Sequence, residues 1–221
     1  METKHVSAPE QKNYERAYQL SYQIARDNIV KLKDLEQQSR YSGATYQDAD
    51  PGQSIIINYL SLPHKITLPG IEISKVASDE EVPLREKLLI LHYFISASGI
   101  PLSNRPVTFQ ELPEGVVYAT TFAKRTINPL TRFFGEDPDT LLVASDGMGG
   151  YKADFGDVAV TINAFPFVPI TIVFWRGDDE LTPQGNILFD STITNYIPTE
   201  DITVLCETIT WKLIRQLKES P

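Results

Sequence analysis

The stretch DVAVTINAFPFVPITIVFW, residues 157–175, decides the fold. Val158, Val160 and Ile162 alternate with Ala159 and Thr161, the period-two pattern of a strand, and Ile170 to Trp175 is almost wholly β-branched or aromatic. Between them lies Phe165-Pro166-Phe167-Val168-Pro169; proline has no N–H to give to a ladder, so the chain is expected to turn or move to a sheet edge there. The segment predicts two neighbouring central strands over 157–176, joined by a proline-punctuated bend.

Downstream, Pro198-Thr199 precedes a helix over 200–217 whose apolar stripe is Ile202, Leu205, Cys206, Ile209, Leu213 and Leu217. Upstream, Ser78-Asp79-Glu80-Glu81 has capping-box spacing and Pro83 suits a first turn. The following REKLLILHYFISAS is apolar nearly all round, which predicts a buried helix over 81–98 closed by Gly99. Residues 100–150 carry weaker signals: an edge strand at Val107 to Phe109, a helical region from Ala123 to Phe134 broken at Asn128-Pro129, a short helix from Pro138 to Ser145, and a turn at Asp146 to Gly150.

Nearer the N-terminus, Ser54 to Leu60, Lys65 to Leu68 and Ile71 to Ser74 read as an antiparallel meander over 53–75, punctuated by Pro63 and Pro69-Gly70, after a loop at Pro51-Gly52. Residues 9–42 are helical. Ser7 and Glu10 have capping-box spacing, Tyr14, Ala17, Leu20 and Ile24 recur at helical intervals, and Ile29, Leu32 and Leu35 form a second run. Asp27-Asn28 divides the two runs and Gly43 stops the second. Helices and strands do not alternate regularly, so the expected class is α+β: a mainly antiparallel sheet packed against an N-terminal, a middle and a C-terminal helix, in one globular domain over 1–221.

Composition narrows the function classes. The single cysteine, Cys206, provides neither a disulfide nor the several thiolates of an intrinsic iron–sulfur cluster or a Cys-rich zinc site. A reducing, cytoplasmic setting is the expectation. No run approaches the roughly 18 apolar residues of a membrane span, and the N-terminus lacks the apolar core of a signal peptide. The net charge of −9 argues against nucleic acid as a partner. Residues 135–201 hold twelve acids against only Lys152 and Arg176, leaving the rest of the chain at +1.

Motifs for common chemistries are missing. There is no Gly-x-Ser-x-Gly elbow, no His-x-x-x-His pair and no Rossmann fingerprint, and Gly147-Met148-Gly149-Gly150 is followed by Tyr151-Lys152 instead of the Lys-Ser/Thr of a phosphate loop. His5 falls in the N-terminal tail, His64 in a loop, and His92 reads as a packed histidine of the buried helix. The chemistry-bearing cluster is VFWRGDDELTPQGNILFD, residues 173–190. Trp175, Arg176, Asp178, Asp179, Glu180, Phe189 and Asp190 are the candidate ligand- or partner-binding residues. Asp178, Glu180 and Asp190 are the candidate ligands of a hard cation, or an acid–base set with Asp157, if residues 181–186 loop back to bring Asp190 near. The alternative is a solvated turn: Asp178 and Asp179 cap it, Arg176 pairs with an acid, and Asp190 caps the next turn.

Gly149-Gly150, Phe165 to Pro169, Gly177-Asp178-Asp179-Glu180, Ile187-Leu188-Phe189-Asp190 and Tyr196 to Asp201 resemble the family called domain of unknown function 3786. The resemblance is most specific over 149–205. It implies a setting in anaerobic bacteria and archaea, where relatives are sometimes joined to a cysteine-rich iron–sulfur segment absent here. It implies no catalytic residues and no known cofactor. The expected function is that of a cytoplasmic binding or accessory protein, with a protein partner or small-molecule ligand, serving an anaerobic redox or corrinoid-type system. The competing expectation is a metal-dependent or acid–base enzyme using the carboxylates of residues 178–190.

Overall fold

The computed structural model describes residues 9–49 and 52–219. Its architecture is α+β, with two antiparallel sheets and the helices packed against them. The capping box at Ser7, Tyr14, Pro51 and His5 lie outside the described residues and side chains.

The decisive stretch forms β7 (Val158–Phe165) and β8 (Val168–Trp175), and β8 is the middle strand of a sheet ordered β5-β9-β8-β7-β6. The others are β5 (Pro106–Thr108), β6 (Tyr151–Ala153) and β9 (Gln184–Asp190). The bend between β7 and β8 is tighter than expected. Pro166 and Phe167 alone turn the chain, while Pro169 stays inside β8 opposite Asn163, where the ladder slips between Asn163 and Phe165. That irregularity is what admits a proline to a central strand.

The second sheet is the meander β1-β2-β3-β4, comprising β1 (Thr45–Ala49), β2 (Gly52–Tyr59), β3 (Leu62–Thr67) and β4 (Glu72–Lys75). The sequence reading expected β2 to run through Leu60 and placed no strand at β1. In the structure Leu60 and Ser61 form the β2–β3 turn with φ of 49° and 63°. Both central residues of such a turn need positive φ, for which Asn and Gly are the usual signals, and neither is present. The turn is held from outside: Leu60 N–H donates to the Ala164 carbonyl at 3.0 Å and the Ser61 hydroxyl to the Met148 carbonyl at 3.0 Å. The first bond joins the two sheets, and the second ties the turn to residues 146–148. They also explain the glycine turn, because a Cβ on Gly149, whose φ is +65°, would sit 2.1 Å from Ser61 Oγ.

Helix α1 (Pro9–Val30) continues past Asp27-Asn28, and the break before α2 (Leu35–Ser42) falls at residues 31–34. Its packed stripe is Tyr18, Tyr22, Ala25 and Ile29, while Leu20 and Ile24 face solvent. Both stripes have helical spacing; the one that wins lets Tyr22 Oη donate to the Ile71 carbonyl and Arg26 to that of Gly70. Gly43 closes α2 in the left-handed conformation, as expected. The buried helix is α3 (Leu84–Ser96), shorter than the expected 81–98; Pro83 is its N-cap, and Ser78 instead accepts from Glu80 N–H in a separate turn.

Helices α4 (Gly115–Arg125), α5 (Ile127–Phe134) and α6 (Thr140–Ser145) follow, the first two divided at Thr126 and not at Asn128-Pro129. Helix α7 (Thr199–Glu219) buries the predicted face, including Cys206. Side chains tie α7 to α3 in antiparallel register: Arg85 pairs with Glu207, Glu86 with Lys212 at 2.9 Å, and His92 with Asp201. Among the described residues no helix is long and apolar enough to cross a membrane.

Candidate functional site

The acidic cluster is split by the sheet. Strand β8 ends at Trp175 opposite Gln184, and Asp190 lies six residues further along β9, opposite the start of β8. At about 3.4 Å per residue, roughly 20 Å separates Asp190 from the Asp178 end of the hairpin. The expected approach of Asp190 to Asp178 and Glu180 therefore does not occur, because β9 pairs with β8 along its whole length instead of leaving residues 181–186 free to fold back.

Each member has a distinct place. Asp178 accepts from Glu180 N–H at 2.9 Å and Leu181 N–H at 2.8 Å, and these two bonds lower its pKa. Asp157 accepts from Arg176 N–H, and the Arg176 guanidinium pairs with Asp139 at 2.6 Å. Trp175 is 42% exposed, and Asp179 and Glu180 are solvated beside exposed Leu181. Phe189 is buried against the stacked pair Phe109 and Phe122. The loop from Arg176 to Pro183 borders an open cleft of about 560 Å³ with Gly135 and Glu136. Among the described residues no three His, Cys, Asp or Glu side chains converge as a metal-ligand set.

A different constellation occupies the larger cleft, about 620 Å³, where α1, α3, α4 and α7 meet. Tyr18 and Ser21 face it from α1, Leu88 and His92 from α3, Thr121 and Arg125 from α4, and Asp201 and Val204 from α7. His92 is not enclosed in the core; its side chain is 29% exposed, and Nδ1 lies 2.6 Å from Asp201 Oδ2. A carboxylate only accepts, so Nδ1 carries the proton, and in the neutral ring Nε2 keeps its lone pair. Asp201 thus fixes both tautomer and ring orientation, the arrangement in which an imidazole serves as a general base or as an acceptor for a ligand hydroxyl.

One lining residue of this cleft, Arg125, is tied to α7. Arg125 reaches Glu207 through Nε at 3.2 Å and through its terminal nitrogen at 2.6 Å, while Arg85 bonds the same carboxylate from α3. Burial raises the pKa of Glu207, but the hydrogen bonds and charges of the two arginines outweigh it, and the net shift is downward. The sequence alone reads His92 as a packed histidine and gives Asp201 no role. The available signal was weak: a polar ring on an otherwise apolar helix, and acids in the first turn of α7, which favourable interaction with the helix dipole already explains.

Fold and cleft together define an α+β protein with a helix-walled cavity in which apolar Leu88 and Val204 stand one turn from the oriented His92 and from Asp201. Residues 34–211, about four fifths of the chain, match the family described as Domain of unknown function (DUF3786), and the chain belongs to it. No curated protein and no solved structure matches the chain.

Proposed function

We propose that the protein is a binding or accessory module that takes a small molecule into the cleft between α1, α3, α4 and α7, where the His92–Asp201 pair meets its polar end. The observation that carries this reading is the cleft itself. It joins apolar walls at Leu88 and Val204 to a few convergent polar groups, the composition and size of a small-ligand site. His92 Nε2 can accept a hydrogen bond from a ligand or take its proton, so acid–base turnover is the enzymatic form of the same proposal. The family's expected setting, an anaerobic redox or corrinoid-type system, fits an accessory role in which any iron–sulfur cluster belongs to a partner. Cys206 is buried in α7, and its thiol is pushed up by burial.

Native mass spectrometry of protein purified anaerobically from its host tests the proposal. The wild type is expected to retain a small molecule, and His92→Ala at least tenfold less of it. Thr121→Trp, which puts a large ring at an exposed position of the cleft lining, is expected to retain none. Asp201→Asn keeps the cavity but loses the carboxylate that orients the ring, so it separates binding from proton transfer through the pH profile. A wild type that carries nothing, and that a small-molecule extract of the host stabilises no more than it stabilises Thr121→Trp, would sink the reading.

A second reading uses the acidic loop. Exposed Trp175 and Leu181 beside Asp178, Asp179 and Glu180, within the segment that carries the net negative charge, support a docking face for a basic partner.

A further inference from the structure

The other end of the α3–α7 seam holds a group without a partner. Tyr59, at the end of β2, is 1% exposed, and its hydroxyl has no hydrogen bond among the described residues. A buried hydroxyl left unpaired is costly, and native structures rarely keep one without a ligand or water to satisfy it. This hydroxyl belongs to a residue that lines a small pocket of about 180 Å³ at the junction of the β2–β3 turn, α3, the glycine turn and α7.

The rest of the lining has a definite chemistry. His64, expected in a loop, is a buried residue of β3; its Nδ1 donates to the Leu62 carbonyl at 2.9 Å and its ring meets Tyr59 edge-on at 5.6 Å. Lys212 pairs with Glu86 across the wall at 2.9 Å, Lys75 reaches the exposed Glu80, and Arg215 stands one turn further along α7. Glu86 and Glu80 each hold one lysine, so Arg215 is the cation in excess and leaves the pocket positive. Burial, reinforced by Glu86 and opposed by Arg85, holds the Tyr59 phenol far above its ordinary pKa, so the O–H stays a donor.

We infer that this pocket is a second site, distinct from the His92 cleft, that takes a small oxyanion, with Arg215 supplying the excess positive charge beside the paired Lys212 and Lys75, and with the lining shifting enough to uncover the Tyr59 hydroxyl, which donates to an oxygen. The volume admits a group of phosphate or short-carboxylate size and excludes a nucleotide. The sign of the lining selects an anion over a neutral solute, and the unpaired donor supplies a bond that fixed ion pairs alone would not.

Thermal unfolding and titration calorimetry of the full chain with inorganic phosphate, and separately with malonate, test the site, using chloride at equal ionic strength as control. A saturable rise in Tm and a matching calorimetric isotherm are expected with one anion or both, and which one binds tells phosphate ester from carboxylate as the natural class. Tyr59→Phe is expected to weaken binding at least tenfold. The same change removes the unpaired hydroxyl, so ligand-free Tyr59→Phe is expected to melt about 2–4 °C higher, the shift that a 1 kcal/mol gain gives a chain of this size. Arg215→Gln, at an exposed position, is expected to weaken binding about fivefold at unchanged stability, a loss of about 1 kcal/mol of binding energy. The inference is overturned if neither anion shifts Tm beyond chloride, as in a pocket that takes only water. It is equally overturned if Tyr59→Phe and Arg215→Gln bind the anion as the wild type does.

Discussion

Phe165→Ala is expected to lower the free energy of unfolding by about 4 kcal/mol, within the range of about 3–5 kcal/mol for deleting a buried aromatic ring. For a chain of this length that is a fall in Tm of about 8–16 °C. Phe165 is 1% exposed; its ring stacks on Tyr93 of α3 at 4.1 Å between centroids and leans on Tyr59 of β2 at 5.1 Å. It therefore touches both sheets and the central helix at once. The preceding residue, Ala164, accepts the Leu60 N–H that joins the sheets, so the cavity opens beside the hydrogen bond that sets their spacing. Rigid neighbours on three sides limit collapse into the space. Trp175→Ala at the solvated end of the same hairpin is the internal comparison and is expected to cost under about 1 kcal/mol. Denaturant unfolding with an unchanged m-value measures both; a loss below about 2 kcal/mol for Phe165→Ala would show that the rings close over the gap and that the joint does not depend on it.

The importance of Phe165 was partly legible in the sequence. Alternation over 158–163 and the apolar run over 170–175 are local signals, and a strand buried on both faces has few other ways to satisfy itself, so the centre of the sheet could be read directly. The α7 stripe and the edge strand β5 were legible for the same reason. Strand β1 was not, because TYQDA carries little apolar content and is recruited by pairing with β2. Nor was the Leu60–Ser61 turn, whose positive φ values are sustained by bonds to Ala164 and Met148, residues about ninety to a hundred positions away. The site was hidden by the same distance. His92 and Asp201 lie on separate helices 109 residues apart, and neither contains a motif. The acids of residues 178–180 announced themselves by proximity in sequence, whereas a cleft is made by proximity in space.

The α3–α7 seam shows why the two ends of one interface differ. At its middle, Glu207 holds two arginines and is fully committed to structure. At one end the partly exposed His92, held by Asp201, lines a cleft, and at the other the Tyr59 hydroxyl, without a hydrogen bond among the described residues, lies beside the wall that Lys212 and Arg215 form. The central pairs hold α3 and α7 together between these two pockets.

Asp190→Ala is expected to cost about 3 kcal/mol, comparable with breaking a buried charge network by removing one partner. The carboxylate is 7% exposed and accepts five hydrogen bonds: from Ser103 N–H and hydroxyl, Asn104 N–H, and Thr192 N–H and hydroxyl. It thus pins the segment before β5 to the end of β9, and Asn104 sits there at a φ of 55°. Alanine leaves three backbone donors without their acceptor. Solvent access to Ser103 and Asn104 moderates the loss, which is why the expectation stays below the sum of five bonds. Asp190→Asn keeps the shape but turns one acceptor into a donor, and about 2 kcal/mol is expected. The pH dependence separates the charge from the shape. Burial raises the pKa of Asp190, but the bonds from Thr192 and Ser103 outweigh it, so the folded-state pKa lies below the ordinary aspartate value. The unfolded chain then binds the proton more tightly than the folded one, and the stabilisation is complete above the unfolded pKa, about 3.9, and lost as pH falls through the lower folded value. The stability gap between wild type and Asp190→Asn is accordingly expected to be constant between pH 5 and 8, taken as about the neutral working range, and to narrow below about pH 4. Denaturant unfolding across that series measures it; a gap that persists unchanged into acid would mean that Asp190 contributes through its shape and not through its charge.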